Sequence, residues 1–283
     1  MTRARSSMTS PSSTPEEDFI FPTGGALGAE VRGVDLSLPL SESEVATIRR
    51  ALLDHFVLLF PGQRITDEEL VRFTSYFGRP VEHVRQQRDR PVKEIFFISN
   101  VRENGELIGA LGNEEVSFHS DLSYLPRPGT LSLLYAVEVP SSGGDTHWCN
   151  CSAAYEALGA AAKDELKGLR ALHRHYVDSQ NPLEPVTHPV VCTHPDSGRR
   201  ALYVGPHLTK SIVGMPSTDS DALLQRLYDH LSQPRFIWTH SWCLGDLIMW
   251  DNRPTMHRRD AFPDTERRVM KRTQVFNDEV PFE

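Results

Sequence analysis

Ser117-Phe118-His119-Ser120-Asp121 sets an imidazole and a carboxylate two residues apart. On an extended strand, side chains two apart point to the same face. His119 and Asp121 would then offer two ligands to one divalent cation. A second imidazole is available from His257, in the segment Trp250-Asp251-Asn252-Arg253-Pro254-Thr255-Met256-His257 behind an apolar strand. Two histidines and one carboxylate on one face of an octahedron leave three positions open, which is the ligand set of non-haem Fe(II) oxygenases. The His-x-Asp pair taken alone is equally a surface histidine bonded to a nearby acid, in a chain that holds 12 histidines.

Arg268 and Arg272 lie four apart in Arg267-Arg268-Val269-Met270-Lys271-Arg272-Thr273-Gln274. A strand there would put Arg268, Met270, Arg272 and Gln274 on one face and Arg267 and Lys271 on the other. Two guanidiniums beside a metal suit carboxylates, because the planar fork grips a carboxylate through two bonds. Taken alone the pattern is equally a solvated basic edge strand. If the arginines are buried, a cation without a partner would be costly, so an anion is expected beside them. Glu115 is the alternative partner for Arg272. Gly143-Gly144-Asp145-Thr146 reads locally as a turn. Thr146 would open the next strand with its hydroxyl toward the same cavity.

The elements that must carry these residues are legible in outline. Ser41 and Glu44 form a capping box for a helix running to about His55. Val57-Leu58-Leu59-Phe60 is a buried strand stopped by Pro61-Gly62. Thr66 to Tyr76, Ser152 to Leu158 and Leu223 to Leu231 carry helical spacing. Glu30–Val34, Glu94–Val101, Thr130–Val139, Val190-Val191, Leu202-Tyr203-Val204, Leu247–Trp250 and Met270–Phe276 read as strands. Helices precede many short strands without regular βα alternation, which predicts a mainly β sandwich or barrel with flanking helices. Residues 1–18 are rich in Ser, Thr and Pro with no apolar period and read as a disordered leader. Residues 19–283 read as one domain.

With 283 residues, 39% of them hydrophobic, and a formal net charge of −8, the chain is an ordinary globular one. It lacks the basic field that nucleic acid or an anionic membrane requires. No apolar run approaches the roughly 20 residues of a membrane span. The four cysteines form no CxxC, and reduced thiols in a cytoplasmic protein are the expectation. Self-association into a homo-oligomer stays open.

In these segments the chain resembles the taurine dioxygenase-like Fe(II)/2-oxoglutarate-dependent oxygenases, from about Leu27 to Phe282. Beyond the ligand and arginine segments, the resemblance is carried by Gly28-Ala29-Glu30-Val31-Arg32-Gly33-Val34-Asp35, Pro140 to Thr146, Thr187-His188-Pro189-Val190-Val191 and Thr193-His194-Pro195. It implies a double-stranded β-helix, a jelly-roll relative, with His119, Asp121 and His257 as iron ligands. Arg268 and Thr146 would hold the distal carboxylate of 2-oxoglutarate. Arg272 and His83 would meet an anionic group on the substrate, with Glu115 and Tyr124 further candidates there. Glu115 and Gln86 differ from their counterparts in the taurine enzyme, and the His173–His188 stretch is short. The substrate is therefore expected to be an organic acid or a zwitterion other than taurine. O2 would oxidise an unactivated C–H bond while 2-oxoglutarate becomes succinate and CO2. Two rivals use other chemistry: a non-redox zinc hydrolase with the same ligands, and a small-molecule-binding jelly-roll protein.

Overall fold

The computed structural model describes residues 19–84, 90–276 and 280–282. The proposed leader and Gln86 lie outside the described residues. Two facing sheets make the core. The larger has seven strands in the order Ile20–Pro22, Ala29–Val31, Val57–Phe60, Leu247–Asp251, Gly129–Glu138, Val269–Phe276 and Phe96–Ser99. The smaller has four, in the order Ile237–His240, Thr146–Asn150, Thr255–Arg259 and Val116–His119. All pairs in both sheets are antiparallel except Ala29–Val31 with Val57–Phe60.

Alternation along the central strands sorts the core into two layers. Leu131, Leu133 and Tyr135 face outward to the cluster that holds Ile48, Leu52, Leu70 and Phe73 of the flanking helices. Leu134 and Ala136 face inward to a second cluster that joins Trp148 of the smaller sheet to Ile248 and Trp250 of the larger. Ser132, in phase with Leu134, therefore points between the sheets.

The expected capping box forms, and the structure shows a second. Ser41 caps Glu42–His55 and Thr66 caps Asp67–Ser75, each with its reciprocal glutamate, Glu44 or Glu69. The helix expected over Leu223–Leu231 begins earlier, at Ser217. Its first turn is polar and shows no apolar period, yet Ser220 is fully buried and its hydroxyl accepts from Ile212 N. The expected strand Leu202–Val204 is instead Arg200–Leu202, paired with Val191–Thr193. A short helix at Ala160–Glu165 carries no sequence signal that we recognised. Among the described residues no helix is long and apolar enough to cross a membrane.

Leu133 is fully buried at the centre of the larger sheet. Leu133→Ala should lower unfolding free energy by about 2–5 kcal/mol through lost transfer energy and a residual cavity. The fully exposed Leu183 mutated to Ala should change it by less than about 0.5 kcal/mol. Urea denaturation with both variants checks the layer assignment.

Candidate active site

His119 ends its strand, and His257 is its direct cross-strand partner. Side chains at such positions project from the same face, and the two rings sit with centroids 4.3 Å apart. Asp121 does not share this face by strand alternation. The strand stops at His119, and Asp121 opens a turn in which Leu122 adopts φ 59°. The carboxylate is delivered by that turn, fixed by Ser120 Oγ donating to Thr255 O at 2.8 Å and by Asp121 N donating to Asn252 Oδ1 at 3.3 Å. One ligand atom from each of His119, Asp121 and His257 lies within 4.8 Å of the others, the one such cluster among the described residues.

The protonation states suit a cation. His119 Nδ1 donates to Ser117 O at 2.9 Å, leaving Nε2 bare and 3.7 Å from Asp121 Oδ1. Metal-binding histidines commonly anchor their second nitrogen in this way. Burial, then the neighbouring His119, pushes the His257 pKa down to about 3, so it is neutral at physiological pH. Its Nδ1 is buried with no hydrogen-bond partner. Burial opposes the charge of Asp121, but Arg272, His119 and His257 together hold its carboxyl well below the usual range. A neutral His257 ring, a His119 ring anchored through Nδ1 and a buried carboxylate fit a divalent metal.

Asp121 is gripped from behind. Ser132 Oγ donates to Oδ2 at 2.6 Å and Gln274 Nε2 donates to the same oxygen at 3.2 Å. Asn252 Nδ2 donates to Ser132 Oγ at 2.9 Å, and Trp250 Nε1 donates to Asn252 Oδ1 at 2.9 Å. The Trp-Asp-Asn-Arg segment thus faces two ways. Asn252 turns to the site, while Asp251 turns to Arg253 and to His194, at 3.0 Å. Burial opposes the Asp251 charge, yet Arg253 and His194 push its pKa down to about 2. Ser132 was missed in sequence, although a lone serine inside an apolar strand was a usable signal.

From Met270 to Gln274 the arginine strand behaves as its alternation predicts, whereas Arg268 precedes the strand and a register shift at Val269/Met270. Arg268, Met270, Arg272 and Gln274 are buried, while Arg267 and Lys271 pair with Glu138 and Asp67 on the other side. It is an interior strand, flanked by Gly129–Glu138 and Phe96–Ser99. Arg268 is 1% exposed and its Nε has no partner. Burial, then the Arg259 charge, pushes its pKa down to about 9, so it remains a cation at neutral pH. A Cβ on Gly144 would stand 3.6 Å from Arg268 Nε, so the diglycine turn brings the chain leading into Thr146 against this guanidinium. Thr146 is buried and accepts from Trp242 Nε1 at 2.9 Å. A fully buried cation with no acid bonded to it among the described residues fits the carboxylate of a cosubstrate.

Arg272 is not the unpaired cation that was expected. Its NH1 donates to Asp121 Oδ1 at 3.2 Å and its NH2 to His83 Nε2 at 2.8 Å, with His83 stacked on Phe96 at 3.8 Å. The turn after Val116–His119 carries Asp121 to it, which sequence spacing could not show. Glu115 is exposed and is not its partner. Tyr124 is buried, packed with Leu122 and Leu208 and 4.9 Å from the His175 ring. Sequence reading also missed His207, whose ring lies 5.3 Å from His119 and 5.4 Å from Tyr176; no spacing marks it. A small cleft is lined by His119, Ser120, Ser123, His173 and Tyr203, among others.

Two facing antiparallel sheets with this ligand set between them define a non-haem iron oxygenase of the double-stranded β-helix type. A family model for "Taurine catabolism dioxygenase TauD, TfdA family" matches residues 20–274. The Alpha-ketoglutarate-dependent 2,4-dichlorophenoxyacetate dioxygenase of Cupriavidus pinatubonensis is 36% identical, covering 89% of this chain and 95% of that one. The Alpha-ketoglutarate-dependent sulfate ester dioxygenase of Pseudomonas putida is 32% identical over 93% and 90%. AAD-2, solved with Mn(II) and N-oxalylglycine, superposes with a TM-score of 0.79 at 32% identity, covering 93% and 98%. The chain belongs to the TauD/TfdA family and is an Fe(II)- and 2-oxoglutarate-dependent dioxygenase that consumes O2. The zinc-hydrolase and binding-protein readings fall away.

Ser132→Ala removes the shortest hydrogen bond to Asp121. Outer partners of metal ligands are commonly worth 10–100-fold in affinity. Chelator competition should show Fe(II) binding weakened by about that factor, and the melting temperature should fall too, because Ser132 Oγ also accepts from the buried Asn252 Nδ2 and Gln274 Nε2.

Proposed function

We propose that the enzyme hydroxylates or oxidatively cleaves a small anionic organic substrate. Iron is held by His119, Asp121 and His257, 2-oxoglutarate by Arg268 and Thr146, and the substrate anion by His83 and Arg272. The single observation that carries this reading is the buried carboxylate–imidazole cluster with Arg272 bonded to its carboxylate and a second buried arginine, Arg268, at the head of the same strand.

Bound Fe(II), with 2-oxoglutarate and O2, supplies the oxidising power. The chain's residues bind and orient. Asp121, ionised, and His257, neutral, are ready as ligands without losing a proton. Arg268 offers a charged fork in a site that excludes water, where such a bond is strong. Arg272 is ion-paired with Asp121, and a divalent metal bound beside that pair would add positive charge to the compartment and make it receptive to an anion. The rings of His207, Tyr176 and His175 form a wall continuing from His119, suited to the organic body of the substrate. The relatives named for 2,4-dichlorophenoxyacetate and sulfate esters support an anionic substrate. An organic acid is favoured over a zwitterion because Glu115 is exposed and makes no ion pair with Arg272. A carboxylate at Asp121 argues against halogenation, since it fills the position a halide would need. We further place the enzyme in the cytoplasm, with one catalytic domain over residues 19–283; its four free cysteines support a reducing compartment.

The test is anaerobic reconstitution with Fe(II) and 2-oxoglutarate, then a panel of aryloxy acids, sulfonates, sulfate esters and neutral analogues scored by succinate formed per O2 consumed. A preferred substrate with no anionic group would sink the substrate reading. His257→Ala should abolish stoichiometric iron binding. Arg268→Ala, which loses a charge-assisted contact of about 1.5–3 kcal/mol, should weaken 2-oxoglutarate by about one to two powers of ten; unchanged values would remove those roles.

A further inference from the structure

Arg259 has no role in the site described above. It ends the strand that carries His257, and its Cα is the register partner of Thr146 on the neighbouring strand. It is 7% exposed. Its NH2 donates to Gly112 O at 2.8 Å and to Glu114 O, its Nε has no partner, and the guanidinium lies 5.3 Å over the Phe262 ring. Phe262 also borders the diglycine turn: a Cβ on Gly144 would stand 3.6 Å from Phe262 Cδ1 and equally from Arg268 Nε. Arg259, Phe262, Gly144, Thr146 and Arg268 thus gather at one end of the cleft between the sheets.

Two buried guanidiniums occupy this end. Arg259 is the charged neighbour that acts on Arg268. Among the described residues neither lies within ion-pair distance of an acid; the Glu114 carboxylate acts on Arg259 only from further away, and less strongly than burial. Carbonyl oxygens satisfy some of the N–H groups of Arg259 but carry no net charge. Like charges taken out of water repel strongly, and an anion beside them removes that cost. The anion that the proposed function places here is the distal carboxylate of 2-oxoglutarate.

We propose that Arg259 is a second, electrostatic positioning residue for that carboxylate, and that it sets the preference for a dicarboxylate cosubstrate over a monocarboxylic oxo acid. This rests on the assignment of Arg268 and Thr146 to the cosubstrate. Arg268 supplies the directed fork, and Arg259 supplies charge across the strand pair. The carbonyl bonds of Arg259 also hold the 112–114 segment, so a purely structural role must be separated from the electrostatic one.

Two ligands separate them. Pyruvate has the same keto-acid end as 2-oxoglutarate and lacks the distal carboxylate. Dissociation constants for both are measured on the anaerobic Fe(II) enzyme, by calorimetry or by competition against N-oxalylglycine. Arg259→Gln should weaken 2-oxoglutarate by about tenfold and leave pyruvate within about twofold. Arg259→Lys, which keeps the charge but not the fork, should restore most of the preference, and it provides the reading if the Gln variant does not fold. Equal losses for the two ligands would make Arg259 structural, and an unchanged 2-oxoglutarate constant would remove it from the site; either overturns the proposal. Arg268→Gln is run beside them. If it leaves 2-oxoglutarate unchanged, the cosubstrate assignment falls and this inference with it. If it weakens 2-oxoglutarate while Arg259→Gln does not, only the inference falls.

Discussion

The charge of Asp121 is the constraint around which the interior is arranged. A carboxylate 4% exposed between two sheets would be expelled or protonated unless its charge and lone pairs were met. Arg272 meets the charge, and Ser132 and Gln274 meet one oxygen. Each of those residues is drawn from a different face-to-face relation. Arg272 and Gln274 come from the inner face of one strand. Ser132 comes from the inner face of its neighbour, and it is held in turn by Asn252 and Trp250 from the next. Removing the carboxylate would strand several buried donors at once, so ligand, network and sheet order are mutually dependent.

The same interior keeps its cations dry. Arg268 and Arg259 remain charged at neutral pH although burial depresses both pKa values, to about 9 and about 10. Such groups are poor contributors to folding, since desolvation offsets most of their attraction to anything nearby. In the proposed reading their value lies in recognition, because a carboxylate that met them would meet donors already oriented and already stripped of water. The tryptophans contribute by rigidity. Trp148 and Trp250 fill the space between the sheets, while the indole N–H groups of Trp242 and Trp250 orient Thr146 and Asn252. Core and site are therefore one packing unit in this enzyme, and residues that read as core in the sequence also set the geometry of the chemistry.

What the sequence determined by itself was local. Ser41 with Glu44 announces a helix start because a cap bonds within four residues. The alternation Arg268, Met270, Arg272, Gln274 announces a buried polar face because strand side chains alternate strictly. The types of the metal ligands were legible too, since few residue types can hold a divalent metal. The tertiary structure alone decided how they meet. His257 reaches His119 through cross-strand register, Asp121 reaches both through a turn after the strand has ended, and Arg272 finds Asp121 rather than Glu115. Ser132, His207 and Arg259 gained their places in the same way. Register between strands far apart in the chain depends on the packing of whole sheets, and no local pattern of residues encodes it.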